Sequence, residues 1–421
     1  MPQIPKISNP YVCGILLTMG GVDMGFGLVY TSFTLTAISN KFDMNKLQST
    51  WFTCIGLLAA MVAALIINPF VNRYGKRWTG FITAIYGVFA WVILGLSTNK
   101  AMVFVFRALS GMTVGFYSTI CPTFIAEVAP VERKFLFGFM NQIGIAIGFL
   151  IVTVLGIYVS WQAVSIICAF PSFILACSFL FIPEPEIAAV TVSCSHLLKF
   201  KKELFIAFLC MFFLQFSGIN AVMSNMQIII TNAKLTISTS LIGILTNVIQ
   251  LISTILSAIV VDKLGHRICW IISSLGQLIS FVLLCLHQKV NLPSWVFMIG
   301  LFLEQLTYGI GTGPIPFAAA ANLFRVELCA NAMAVSTAEN WLLSTIVCLI
   351  WPYLESGLTL GYAFLFFVGI QVLAIIFGVI VFKPKGKEET KDDDVSSSSQ
   401  ENEEAENMSR RLSHAKEIPE L

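Results

Sequence analysis

The sequence predicts an all-α membrane protein with 12 transmembrane helices in two six-helix bundles. Three observations predict it. The 421 residues are 57% hydrophobic and only 11% charged, whereas a soluble domain carries about a quarter charged residues. The apolar residues gather into runs near the ~20 residues that a helix needs to cross hydrocarbon. A six-residue signature, Asn72-Arg73-Tyr74-Gly75-Lys76-Arg77, returns as Asp262-Lys263-Leu264-Gly265-His266-Arg267. Each copy follows the second apolar run of a half, so the chain reads as a membrane carrier built from parallel repeats.

The first six spans are expected at 11–38, 50–71, 79–98, 101–126, 135–158 and 161–182. The second six are expected at 204–231, 239–261, 268–287, 294–323, 329–354 and 360–382. Residues 1–182 then form an N-terminal bundle and 204–382 a C-terminal bundle. The joint is 183–203, with Pro183-Glu184-Pro185-Glu186 and then Lys199, Lys201 and Lys202. After Phe382 the composition turns to Lys, Glu, Asp and Ser, so 383–421 is expected to be a disordered cytoplasmic tail. Within it, Arg410-Arg411-Leu412-Ser413 has the form of a basic-directed kinase site. The sequon at Asn407 is cytoplasmic on this topology and not expected to be glycosylated.

Cationic loops stay on the cytoplasmic side. With the N-terminus inside, 14 Lys and Arg face inward and about 6 outward. Both termini are therefore expected in the cytoplasm, in a multi-pass protein of the plasma membrane. Met1 to Pro10 is too polar for a cleaved signal. The 11 cysteines lie scattered in apolar stretches without a C-x-x-C pair. They read as small buried hydrophobes, and neither a metal site nor a cofactor is expected. A net charge of +2 gives no footprint for nucleic acid.

Polar groups inside spans face protein or a watery cavity. Span five has Asn141 and Gln142. Span seven has Gln215, Ser217, Gly218, Asn220 and Asn225. Span eight has Asn247 and Gln250 on one face, and span eleven has Asn340, Trp341 and Ser344. Most are neutral amides, which donate and accept like a hydroxyl. With the flat faces of Trp341 and Phe317 they describe a pocket for a neutral polyhydroxylated solute. The bland alternative is that the amides tie helices together. Span ten carries Gly309, Gly311, Gly313, Pro314 and Pro316, which predicts a broken helix and a candidate gate. Asp23, Glu304, Glu339 and Glu355 lie in or beside spans, Glu304 being expected near the outer end of span ten. A structural role is favoured for these carboxyls over a proton-carrying one.

Several ordered motifs resemble the sugar porters of the major facilitator superfamily, most closely the animal facilitative hexose transporters. They include Arg73-Tyr74-Gly75-Lys76-Arg77, Asn141-Gln142, Gln215-Phe216-Ser217-Gly218-Ile219-Asn220-Ala221-Val222, Gly311-Thr312-Gly313-Pro314-Ile315-Pro316-Phe317 and Asn340-Trp341. Arg107, Glu127 and Pro130 fall at the fourth-helix positions. The resemblance implies a sugar site lined by Gln142, Gln215, Asn220, Asn247, Phe317, Asn340 and Trp341. It also implies a cytoplasmic ion-pair gate of Arg73, Arg77, Glu127, Asp262 and Arg267, with Gly313, Pro314 and Pro316 as the hinge of span ten.

The chain departs from that pattern at Leu214, Gly309, Phe317, Asn322 and Ser344. The sugar site thus holds fewer hydrogen-bonding groups, and the exact sugar stays open. Gly27 stands where proton-coupled members carry Asp, which favours uniport of a hexose or related small polyol. Asp23, one turn away, keeps a proton-coupled sugar symporter as the alternative. A non-transporting sugar sensor is the other. No G-x-x-x-x-G-K-[S/T] loop is present, so no ATP-driven or enzymatic activity is expected. The partners expected are a small sugar and the lipid bilayer.

Overall fold

The computed structural model describes residues 7, 9–130, 133–184, 194–233, 238–290, 292–324 and 326–382. The expected tail, with Asn407 and Arg410 to Ser413, lies outside these residues, as do Arg325 and residues 185–193 of the joint. The side chains of Asp262 and Asn322 also lie outside them.

Every regular element among the described residues is helical. Ten helical stretches are long and apolar enough to cross a membrane. One of them, Lys46–Gly95, is 50 residues long and reverses at Gly75, so it supplies spans two and three. Span ten is divided into Ser294–Ile310 and Ile315–Asn322. These two features complete twelve spans in two six-helix bundles.

The starts of spans two, four and six are written in the sequence as caps. Asn45 and Gln48 form a capping box. Asn99 accepts from Met102 N at 2.8 Å, and Ser160 accepts from Ala163 N. Each side chain answers a backbone donor that the first turn leaves unpaired. Large apolar side chains such as Ile82, Phe89, Phe170 and Ile380 point outward, which in bilayer is the favourable direction.

The duplicated signature makes two equivalent reversals. Gly75 has φ 79° and ψ 166°, and Gly265 has φ 77° and ψ 163°. Only glycine occupies this region without strain. A third reversal, between spans eleven and twelve, places Thr359 at φ 68° and ψ 156°. This β-branched residue carries the strain that the two glycines avoid.

Span seven, expected as one run with Gly218 as a weaker interruption, is fully broken. Its helices are Lys201–Gln215 and Ile219–Asn232, joined through Gly218 at φ 94°. Span ten is interrupted at residues 311–314, where its Gly and Pro residues predict a break. The joint holds a short 3-10 helix, Cys194–Lys199, before span seven.

Spans one and five run in direct backbone contact. A Cβ on Gly25 would lie 2.3 Å from Ile145 O, and one on Gly148 would lie 2.4 Å from Val22 O. Small residues permit this approach where packing, not the hydrophobic effect, joins helices. Among the described residues the halves meet chiefly along Lys46–Gly95 on Val326–Val381, Lys134–Tyr158 on Thr239–Val290, and Met19–Lys41 on Ile219–Asn232, with a smaller contact of Lys100–Val128 on Val326–Val381.

Thr359→Gly is expected to stabilise the protein by about 1 kcal/mol by releasing this strain, and Gly75→Ala to destabilise it by a similar amount or more. Thermal unfolding of the purified protein in detergent reads both; equal midpoints for the three proteins would contradict the assigned backbone.

Candidate functional site

The amides of spans seven and eleven converge. Gln215 Nε2 donates to Asn340 Oδ1 at 2.6 Å, and Asn220 Nδ2 donates to Gln215 Oε1 and to Ser344 Oγ, the latter at 2.8 Å. All four side chains are buried. The break at Gly218 brings Gln215 and Asn220 together, since it lets two short helices aim both amides at span eleven. Asn340 and Ser344 are one turn apart and face the pair together.

The neighbouring Trp341 crosses to the first half, donating from Nε1 to Ser118 Oγ at 3.2 Å. Asn247 makes a separate crossing, from Nδ2 to Thr153 Oγ1 at 2.8 Å, and its Oδ1 has no partner. Gln142 is half-buried on span five and has no hydrogen-bond partner among the described residues. Phe317 is half-buried and packs against the apolar cluster of Met211 and Ala320. The structure thus joins Gln215, Asn220 and Asn340 with Trp341 adjacent, and leaves Gln142, Asn247 and Phe317 outside that network.

Ser344 was read from the sequence beside Asn340; Ser118 and Thr153 complete these contacts and were not singled out. A lone Ser or Thr in an apolar span carries no signal, because it can bond to its own helix. Gln250 is also buried, with both amide atoms unpartnered.

A cavity of about 390 Å³ opens at the seam on the side opposite the signature turns. Ser49, Thr50 and Thr53 of span two line it, with Asn225 of span seven and Cys348 of span eleven. Its floor adjoins the amide network, since Cys348 Sγ lies 3.8 Å from Asn220 O and 3.9 Å from Ser224 Oγ. On the same side, span one touches span seven: Ser224 Oγ donates to Leu28 O at 3.5 Å and Gln227 N to Ser32 Oγ at 3.4 Å.

The first signature turn anchors a charged cluster. Lys76 pairs with Glu127 at the end of span four. Arg77 donates from Nε to Phe179 O at 2.7 Å and from Nη2 to Leu180 O at 2.6 Å, capping span six. Glu184 accepts from Lys76 N at 2.6 Å and Arg77 N at 2.9 Å, so its carboxylate sits on the first turn of span three. Glu184 and Lys76 were not among the gate residues read from the sequence. Arg73 is exposed beside the Tyr74 ring and stays outside the cluster. Arg267 is half-buried and makes no hydrogen bond or ion pair to a described residue.

The buried carboxyls are placed differently from one another. Asp23 accepts from Ser172 Oγ at 2.7 Å, Thr113 Oγ1 at 2.8 Å and Trp91 Nε1 at 3.4 Å, all within the first half. Glu304 is fully buried, on the face of span ten where Gly300 and Thr307 pack against span nine. Gln305 Nε2 donates to it at 2.5 Å.

Residues 15–338 match the family described as Major Facilitator Superfamily. The "Facilitated trehalose transporter Tret1" of Polypedilum vanderplanki is 26% identical over 90% of this chain and 86% of that protein. The "Glucose transporter GlcP" of Staphylococcus epidermidis is 26% identical over 90% of this chain and 95% of that protein. Among solved structures, the partially occluded inward-open xylose transporter XylE of E. coli superimposes with a TM-score of 0.74 at 20% identity, covering 89% of this chain and 100% of that one. A D-xylose-proton symporter gives 0.76 at 20% identity, covering 89% and 98%. At such identity the structures speak for the fold.

Glu184→Gln is expected to cost about 0.5–1 kcal/mol, because it removes the charge from the start of span three but keeps one acceptor. Chemical denaturation in detergent at low and high salt checks this; the loss should shrink at high salt, and a salt-independent loss would contradict a charge effect.

Proposed function

The chain belongs to the Major Facilitator Superfamily, and from that premise we propose that it is a uniporter, carrying a hexose or related small polyol by alternating access at the seam of its halves. The observation that carries this reading is the buried amide network of Gln215, Asn220, Asn340 and Ser344, one turn beneath a cavity at the seam. Amides and hydroxyls exchange both donors and acceptors with a sugar, and Trp341 adds a flat face for its C–H surface. Gln142, Asn247 and Phe317 complete the proposed wall from other spans. The named sugars of the relatives, trehalose and glucose, support the substrate class.

The bodies that rock are residues 1–182 and 204–382, linked by 183–203. The gate on the signature side is the cluster around Arg77, Glu127 and Glu184, with Asp262 and Arg267 as its second-half counterparts and Gly313, Pro314 and Pro316 at the break of span ten as hinge. Arg73 contributes to this gate only by reaching a partner in another state. Both termini lie in the cytoplasm and the membrane is the plasma membrane.

Uniport is supported by the first half. Asp23 is bound by three donors of its own bundle, away from the seam. At Gly27 the buried Arg107 finds a backbone carbonyl and no carboxylate. One observation favours proton coupling: Glu304 is a buried carboxyl whose partner is the neutral Gln305.

Flux of labelled glucose, fructose and myo-inositol into proteoliposomes tests the reading. At least one should equilibrate without accumulating, unaffected by an uncoupler. Accumulation that an uncoupler abolishes and that Glu304→Gln removes would establish symport, and binding without flux a sensor. Asn220→Ala is expected to weaken solute affinity by about 1–3 kcal/mol, since it leaves Gln215 Oε1 and Ser344 without their donor. An unchanged uptake constant would remove Asn220 from the site.

A further inference from the structure

Arg107 is sealed inside the first half at 1% exposure. Its Nη2 donates to Gly27 O at 2.8 Å, and its Cζ stands 5.4 Å from the centre of the Tyr30 ring. Its Nε and Nη1 have no partner. Asp23, the carboxylate one turn away on span one, is taken by Ser172, Thr113 and Trp91. A guanidinium keeps its charge under all ordinary conditions. Burying that charge with no counter-charge is strongly unfavourable.

Two helix faces run from this guanidinium to the seam cavity. On span one, Gly27, Thr31 and Leu35 are successive turns of one face. Gly27 bonds Arg107, Thr31 Oγ1 is buried without a partner, and Leu35 lines the cavity. On span two, a Cβ on Gly56 would lie 2.9 Å from Arg107 Cζ, and Thr53, one turn away, lines the cavity. The rise between Thr53 and Gly56 is about 4.5 Å. Free donors therefore lie one turn beneath the floor of the cavity. Lys46 and Glu355 both line the cavity, so its charged lining sums to zero.

We propose that Arg107 and the cavity above it form a subsite for the carboxylate of a transported sugar acid, a polyol bearing one negative charge. A single carboxylate neutralises the guanidinium; a phosphate dianion would replace one excess charge with another. The hydroxyls of the same solute meet Thr53 and Asn225 along the cavity and the amide network at its floor. Charge-assisted bonds in a dry site are stronger than neutral ones, so the acid is preferred over the neutral sugar. The subsite rests on the transport reading given above for its route of delivery, not for its binding chemistry.

Two measurements separate the subsite from the transport reading. In proteoliposomes, glucuronate or gluconate is expected to block uptake of labelled glucose at a concentration at least ten-fold below that of unlabelled glucose. Arg107→Gln should remove that preference, and Arg107→Lys should keep part of it. Acids that compete no better than glucose in the wild type would overturn the proposal while leaving sugar transport intact. If no solute moves, the transport reading falls, and a thermal-shift titration of the detergent-purified protein decides the subsite alone. Glucuronate should then raise the unfolding temperature where glucose and inorganic phosphate do not; an equal response to all three would overturn it. Should Arg107→Gln fail to fold, Thr53→Val tests the passage, and an unchanged acid-to-neutral ratio in that variant would equally count against the subsite.

Discussion

In hydrocarbon, a polar group that has left water must be answered by another polar group of the protein. The interior of this molecule is organised by that constraint. Asp23 is answered by three donors from spans three, four and six, which ties four helices of the first half to one carboxyl. Gln215, Asn220, Asn340 and Ser344 answer one another across the break in span seven. Arg77 answers the last carbonyls of span six, and Glu184 the first amides of span three. Where an answer is missing, as at Arg107, the unpaired donors point to something the solute brings.

The two signature turns share a backbone geometry. Gly75 and Gly265 reverse the chain with dihedral angles that differ by only a few degrees. The first turn is locked by Lys76 with Glu127 and by Glu184, whereas Arg267 of the second has no such bond to a described residue. Duplication preserved the fold of the turn, which depends on a glycine. The charges around it were free to diverge, since exposed ion pairs contribute little to folding.

Much of this was legible in the sequence. Span number and class follow from apolar run length, the repeat from a local glycine motif, and the break in span ten from its Gly and Pro residues. That Gln215, Asn220 and Asn340 share one site was implied by the resemblance of their motifs, and their amide chemistry was compatible with it. The full break at Gly218 was not, because one glycine in an apolar run is compatible with a continuous helix. Nor were the partners Ser118 and Thr153, which depend on which faces of distant spans meet. Glu184 was visible only as part of an acidic, proline-rich joint. Its place on the first turn of span three comes from the tertiary return of span six, which no local pattern encodes.

The glycine contact between spans one and five leaves no room for either helix to turn against the other. Together with the carboxyl that pins spans one, three, four and six, it makes the first half a single stiff block. The second half has its discontinuities in spans seven and ten, and the second piece of span seven meets span one of the first half. The duplication has therefore left the copies unequal: the second carries two wide joints, the first only the one-residue interruption at Thr18 between Pro10–Leu17 and Met19–Lys41.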